Sequence, residues 1–155
     1  MIRWDLPGHG GSPAGPIGPG ATVGDLAALV LALADSLGIE RFAYAGVSLG
    51  GAVGLHLAVH HPERLDALAV ICSSAHFNGA APWRERAERV RREGMGPLAE
   101  SAPARWFAGD FTVPELVRAH REAGPEAYAA CCDALAAFGL TDRLPEIGVR
   151  TLLVA

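Results

Sequence analysis

The chain has 155 residues, of which 50% are hydrophobic and 19% are charged, and its net charge is -4 at pH 7. This composition excludes a disordered chain, and the negative charge gives no electrostatic basis for binding nucleic acid or an anionic membrane. The sequence has neither a signal-peptide pattern nor an apolar run of about 18 residues that could span a membrane. Its three cysteines lack zinc-binding spacing and indicate small buried thiols, so we expect a cytoplasmic protein without a metal.

The first half of the chain alternates predicted strands and helices. Thr22 and Asp25 have the spacing of a capping box, apolar residues then recur at helical spacing, and Gly38 ends the helix. A later apolar run, residues 67–72, is typical of a strand that is buried on both faces. The predicted strands cover residues 2–5, 41–45 and 67–72, and the predicted helices cover 22–37 and 51–60. This alternation predicts an α/β fold with a mostly parallel sheet.

The second half is predominantly helical until the last few residues. The predicted helices cover residues 83–93, 97–107, 113–122 and 125–138, and no strand pattern interrupts them. A β-prone apolar run then follows. The sequence therefore predicts part of an α/β core at residues 1–76, an all-helical insertion at 77–147 and a returning core strand at 148–155.

Residues 46–50, Gly-Val-Ser-Leu-Gly, lie between a predicted strand and a predicted helix. A G-x-S-x-G sequence in this context is the signature of a nucleophile elbow, a sharp turn that exposes a serine hydroxyl above the sheet. Glycines two residues before and after the serine are expected to relieve crowding at the turn. The pattern predicts Ser48 as the nucleophile of an acyl transfer, with the backbone N–H of Leu49 as one donor to the oxyanion.

A serine nucleophile also needs a base and an acid. His76 is predicted near the C-terminal end of a core strand, where ligands of such sheets bind, so it is a candidate for substrate contact. The position after that strand offers Ser73 and Ser74 and no acid. Four other histidines are interpreted as structural: His9, His56, His60 and His61. No complete catalytic triad can be assembled from these residues.

The order of motifs resembles the α/β-hydrolase superfamily. Residues 5–12 match a D-x-x-G-x-G-x-S loop of that superfamily, residues 46–51 match its elbow, and the helical insertion lies where the superfamily places a cap. Within it, the chain is most similar to the 3-oxoadipate enol-lactonases. The similar segments are residues 3–5, 37–41, 74–76, 91–95, 105–107, 128–132 and 149–154.

The resemblance implies an enzyme of the β-ketoadipate pathway of aromatic degradation. Such an enzyme opens 3-oxoadipate enol-lactone to 3-oxoadipate through a serine nucleophile, with no metal or organic cofactor. The small lactone substrate carries a carboxylate, which Arg105 is suited to bind while Trp106 packs against the ring. The alternatives are another capped hydrolase (a carboxylesterase, a C–C bond hydrolase or a haloperoxidase) or an incomplete fragment that acts only as a binding module.

The resemblance also implies that parts of the enzyme lie outside these residues. The third strand of the family precedes residue 1, as does the loop with the second oxyanion donor, and the catalytic acid and histidine follow residue 155. We therefore expect an internal fragment that is inactive on its own. Some related proteins fuse this domain to a carboxymuconolactone decarboxylase domain, which is a further expected partner.

Overall fold

The computed structural model describes all 155 residues as seven α-helices and three β-strands. In chain order these are α1 (Val23–Ser36), β1 (Phe42–Val47), α2 (Leu49–His60), β2 (Leu65–Ile71), α3 (Ala81–Glu93), α4 (Gly96–Glu100), α5 (Ala102–Trp106), α6 (Pro114–Glu122), α7 (Pro125–Ala137) and β3 (Thr151–Val154), with 3-10 turns at Pro62–Arg64 and Thr141–Glu146. The chain forms two compact units, a sheet unit (Thr22–Ala80 and Ala134–Ala155) and a helical unit (Met1–Ala21 and Ala81–Asp133).

The sheet unit contains a three-stranded parallel sheet in the order β1-β2-β3. Helix α2 packs on β1 and β2, and it can approach them closely because Gly54 has no side chain. A Cβ at this position would lie 2.6 Å from Leu68 and 2.9 Å from Tyr44. Leu57 and Val53 of the same helix are fully buried. The parallel sheet confirms the predicted α/β class.

Helix α1 begins with the predicted capping box. The Asp25 N–H donates to the Thr22 hydroxyl (3.2 Å), and the Thr22 N–H donates to the Asp25 carboxylate (2.7 Å). The hydrogen bonds from Thr22 lower the pKa of Asp25. A cap of this kind stabilises a protein by about 1 kcal/mol. Gly38, at φ +68°, ends the helix as predicted.

The predicted strand at residues 2–5 was wrong. No strand of the chain forms a hydrogen-bonded ladder with this segment, and ladder bonds are what define a strand. Asp5 instead organises the loop that follows it. Its side chain accepts the Gly11 N–H (3.0 Å), and its carbonyl accepts the Ser12 hydroxyl (2.7 Å).

The single helix predicted over residues 97–107 was also wrong, because the segment forms two short helices that meet at Ser101. Pro103 explains the break. Proline has no N–H to donate to the carbonyl four residues earlier, and its ring clashes with that carbonyl. The break places Ser101 at the end of α4, where its hydroxyl donates to the Leu98 carbonyl (3.0 Å).

The helical unit has its own apolar core. Its members come from α3, α4, α7 and the adjoining turns: Ala87, Val90, Met95, Leu98, Ala123, Ala129 and Cys132. An ion pair borders this core, in which Arg91 donates to Asp133 at 2.7 Å. Asp133 also accepts the Gly20 N–H (3.2 Å), which ties the N-terminal loop to α7.

Two of the three cysteines are buried, as predicted, and one is not. Cys131 and Cys132 lie in α7, and burial is the main cause that raises their pKa, to about 12 and about 11. Cys72 is exposed. The prediction was wrong for Cys72 because β2 ends at Ile71, so this residue lies in the turn beyond the strand.

Candidate active site

Ser48 is the single residue between the end of β1 and the start of α2. It is exposed and adopts φ +52° and ψ -115°, a sparsely populated positive-φ conformation that costs a non-glycine residue about 1–3 kcal/mol. Hydrogen bonds hold its backbone on both sides. Its N–H donates to the Ile71 carbonyl (2.9 Å), and its carbonyl accepts the Ala52 N–H (3.1 Å). The turn therefore presents the Ser48 side chain to solvent at the C-terminal end of β1.

The glycines around Ser48 differ in what they do. A Cβ at Gly46 would collide with the backbone carbonyl of Gly50, so only glycine fits there. At Gly50 the nearest atom to a Cβ would be the Tyr44 hydroxyl at 3.9 Å, which is ordinary contact. The second crowded position is instead Gly51, where a Cβ would lie 2.5 Å from the Ser73 Cβ. The expected relief of crowding thus comes from Gly46 and Gly51.

Leu49 is the first residue of α2, and its side chain is buried. The N–H groups of the first helical turn have no partner inside the helix, so the Leu49 N–H is free to donate to an anion. This geometry suits the predicted oxyanion donor.

Beside the elbow, the turn after β2 contains a second strained residue. Cys72 has φ +44°, and its N–H donates to the Val154 carbonyl of β3 (2.8 Å). The next residue, Ser73, donates its hydroxyl to the Ser48 carbonyl at 2.6 Å. Sequence reasoning named Ser73 only as a position that lacks an acid. It missed this contact because the two serines are 25 residues apart and meet only when β1 pairs with β2.

His76 lies five residues beyond the C-terminal end of β2 at Ile71, so it is near that strand end but not part of the strand. It lies exposed in the following loop, where its N–H donates to the Ser74 hydroxyl (3.2 Å) and its backbone pairs with Gly139 in an isolated antiparallel bridge. Its role in substrate contact stays a prediction.

Three nitrogen-bearing side chains form a cluster elsewhere in the sheet unit. The His56 and His60 rings are 4.1 Å apart, and Arg143 donates to the His60 Nε2 at 2.9 Å while its other nitrogens bond Glu146. Burial, then the neighbouring His60, His61 and Arg143, lower the pKa of His56 to about 4. The cluster lines a cavity of about 310 Å³ to which no elbow residue contributes. Its hydrogen bonds attach the 3-10 turn at Thr141–Glu146 to α2.

The predicted substrate-binding residues Trp106 and Arg105 lie in the helical unit, at the end of α5. Trp106 is 45% exposed, and its ring lies 4.7 Å from the His120 ring. Arg105 is exposed, with a long hydrogen bond to the Leu98 carbonyl (3.4 Å). Both side chains are therefore accessible, and their role in binding stays a prediction.

His120 is a buried polar residue that sequence reasoning missed. It is 9% exposed, it packs edge-on against Tyr128 with the ring centroids 5.3 Å apart, and its Nε2 has no hydrogen-bond partner. Burial, followed by the charges of Arg105, His9 and Arg86, lowers the pKa of His120 to about 4. The available signal was its spacing from Val113 and Val117, which puts it on the apolar face of α6.

No group of three or more His, Cys, Asp and Glu side chains in the chain is arranged to hold a metal ion. None of the helices is both long and apolar enough to cross a membrane.

A parallel α/β sheet with a serine held at positive φ between a strand and the following helix is the arrangement found in α/β proteins that have a nucleophile elbow. Residues 1–93 match the sequence model of the family described as alpha/beta hydrolase fold, and the chain belongs to that family.

Known relatives are similar over the whole chain. It is 37% identical to 3-oxoadipate enol-lactonase 2 of Acinetobacter baylyi, over 100% of this chain and 60% of the relative. Among solved structures, a hydrolase from Pseudomonas aeruginosa PA01 has a TM-score of 0.91 at 34% identity, covering 99% of this chain and 60% of that one. The enol-lactonase from Burkholderia xenovorans LB400 has a TM-score of 0.88 at 34% identity, covering 96% and 59%. The chain thus spans about 60% of the length of these relatives.

Proposed function

We propose that the protein carrying this chain is a serine-dependent hydrolase that opens 3-oxoadipate enol-lactone to 3-oxoadipate in the cytoplasmic degradation of aromatic compounds. The observation that carries the proposal is the exposed Ser48 at φ +52° between β1 and α2. The choice of substrate is supported by the similarity over the whole chain to an enol-lactonase at 37% identity.

In the proposed reaction, the Ser48 oxygen attacks the lactone carbonyl carbon and its proton passes to a base. The ring C–O bond then breaks, and the enol oxygen takes that proton. Water attacks the resulting acyl ester, which releases the open acid as its enol and restores the Ser48 hydroxyl. Transfer of the enol proton from oxygen to carbon then gives 3-oxoadipate. We assign the base to none of the six histidines of the chain, since no histidine ring is hydrogen-bonded to the Ser48 hydroxyl; the bonds at Ser48 are to its backbone.

The Leu49 N–H is the proposed donor to the oxyanion that forms during both steps. Removal of one such donor typically costs about 2.7–4 kcal/mol of transition-state stabilisation. Arg105 and Trp106 are the proposed substrate-binding residues, because a guanidinium pairs well with a carboxylate and an indole packs against an apolar ring.

The test is covalent labelling and turnover of the full-length protein. A fluorophosphonate probe is expected to label the wild type, and Ser48→Ala is expected to abolish labelling and lower kcat by at least about 10³-fold. Ser36→Ala is the matched control, because the Ser36 hydroxyl bonds only the Leu33 carbonyl of α1 (2.8 Å). Faster turnover of p-nitrophenyl acetate than of the enol-lactone would favour a carboxylesterase instead, and labelling that persists in Ser48→Ala would refute the nucleophile.

A further inference from the structure

The hydroxyl of Ser73 is hydrogen-bonded to the backbone of the elbow and not to the Ser48 hydroxyl. It donates to the Ser48 carbonyl at 2.6 Å, and the same oxygen accepts the Ala52 N–H at 3.1 Å. A carbonyl oxygen has two lone pairs, so the two bonds are compatible and together occupy it fully. The Ser48 carbonyl is therefore fixed by one bond from its own helix and one from the neighbouring strand end.

Holding the Ser48 carbonyl oxygen in place also sets the position of the Leu49 amide hydrogen. The Ser48 carbonyl and the Leu49 N–H belong to one peptide unit, which is planar, and the chain has no cis peptide bonds. In a trans peptide the C=O and N–H point in opposite directions. A bond that holds the Ser48 oxygen therefore sets the direction of the Leu49 N–H. A hydrogen bond to the carbonyl also polarises the amide, which makes its N–H a stronger donor.

Two local features bring the Ser73 hydroxyl to this position. Cys72, at φ +44°, turns the backbone sharply after β2, and its N–H is held by Val154. Gly51 supplies the space on the facing helix, since a Cβ there would lie 2.5 Å from the Ser73 Cβ and 2.7 Å from its Oγ. The contact thus depends on a strained residue on one side and a glycine on the other.

We propose that Ser73 is a positioning residue, which orients and strengthens the Leu49 N–H as the oxyanion donor. The inference rests on the proposed function of Ser48 and Leu49. Oxyanion charge develops only in the transition state, so loss of Ser73 lowers kcat and leaves substrate binding unchanged.

The decisive variants are Ser73→Ala and Ser73→Thr in the full-length protein, with Ser36→Ala as the control that also removes a hydroxyl bonded to a backbone carbonyl. We expect Ser73→Ala to lower kcat by about 10-fold with KM within about 2-fold, an effect smaller than removal of a donor. Ser73→Thr keeps the hydroxyl and is expected to restore most of kcat. Ser36→Ala is expected to match the wild type.

Gly51→Ala is an independent probe, because its Cβ displaces the Ser73 hydroxyl without removing it. We expect a lower kcat at unchanged KM here as well. Each rate is divided by the fraction of folded protein under the assay conditions, which is obtained from the unfolding curve of that variant. An unchanged kcat in Ser73→Ala, a change confined to KM, or no recovery in Ser73→Thr would each overturn the role of Ser73. If the fluorophosphonate probe does not label wild-type Ser48, the proposed function fails, and the role of Ser73 fails with it; if the wild type is labelled, the kinetics of the Ser73 variants decide that role separately.

Discussion

The elbow of the sheet unit and the ring cluster of the helical unit (Trp106, His120 and Tyr128) depart from ordinary structure in opposite ways. At the elbow, Ser48 is strained in its backbone, yet its N–H and carbonyl are both hydrogen-bonded. In the ring cluster, His120 lies in a regular helix, yet its buried Nε2 has no partner.

The two regions differ in the source of their unfavourable free energy, which is backbone strain at Ser48 and a buried nitrogen without a hydrogen bond at His120. A non-glycine residue held at the φ and ψ of Ser48 costs about 1–3 kcal/mol, and a buried polar atom without a partner costs about 1–3 kcal/mol. At the elbow, neighbouring hydrogen bonds maintain the strain and the result is an exposed hydroxyl. At His120 the surrounding rings supply packing but no hydrogen bond to Nε2. The two regions should therefore respond in opposite directions to substitution.

The largest effect is expected when the elbow is broken. Gly46→Ala would place a Cβ against the Gly50 carbonyl, which is backbone and cannot rotate away. We expect a loss of about 3 kcal/mol in the free energy of unfolding, measured by urea denaturation, together with loss of Ser48 labelling. Gly50→Ala is the matched control, since its Cβ meets nothing closer than 3.9 Å. Equal destabilisation by the two variants would contradict the steric argument.

Much of the sheet unit, the elbow included, could be predicted from sequence because its signals are local. The capping box at Thr22, the stop at Gly38 and the G-x-S-x-G spacing each depend on residues a few positions apart. The contact between Gly51 and Ser73 could not be predicted, because it requires the pairing of β1 with β2 and the close approach of α2. The break at Ser101 was missed for a different reason. The helical spacing of residues 97–107 predicted one helix, and the local effect of Pro103, which ends the first helix, was not taken into account.

A smaller effect, of opposite sign, is expected in the ring cluster. His120→Phe keeps a flat ring but removes the unpartnered nitrogen, so we expect the free energy of unfolding at pH 7 to rise by about 1 kcal/mol. Urea denaturation measures this directly. No change or a loss of stability would indicate that Nε2 is not a source of unfavourable free energy in the folded protein.

The same variant should alter the acid sensitivity of the protein. The pKa of His120 is lowered from 6.5 to about 4 in the folded state, so the unfolded state binds its proton first. Titration of His120 therefore costs the folded protein nothing above pH 6.5, and the free energy of unfolding falls as the pH drops from 6.5 towards 4, by about 2 kcal/mol at pH 5. The His120→Phe protein should lose less stability between pH 7 and pH 5. Some sensitivity should remain, since the pKa of His56 is lowered to about 4 as well.

The smallest effect is expected at Cys72, the second strained residue beside the elbow. Asparagine tolerates φ near +44° better than most residues with a Cβ, alanine included. The Cys72→Asn variant should therefore be more stable than the Cys72→Ala variant, with a free energy of unfolding higher by about 0.5–1 kcal/mol. Because both variants remove the exposed thiol and keep the N–H that bonds Val154, their difference isolates the backbone strain. If the two are equally stable, the turn after β2 carries no measurable strain, and the contact of Ser73 with the elbow forms without that cost.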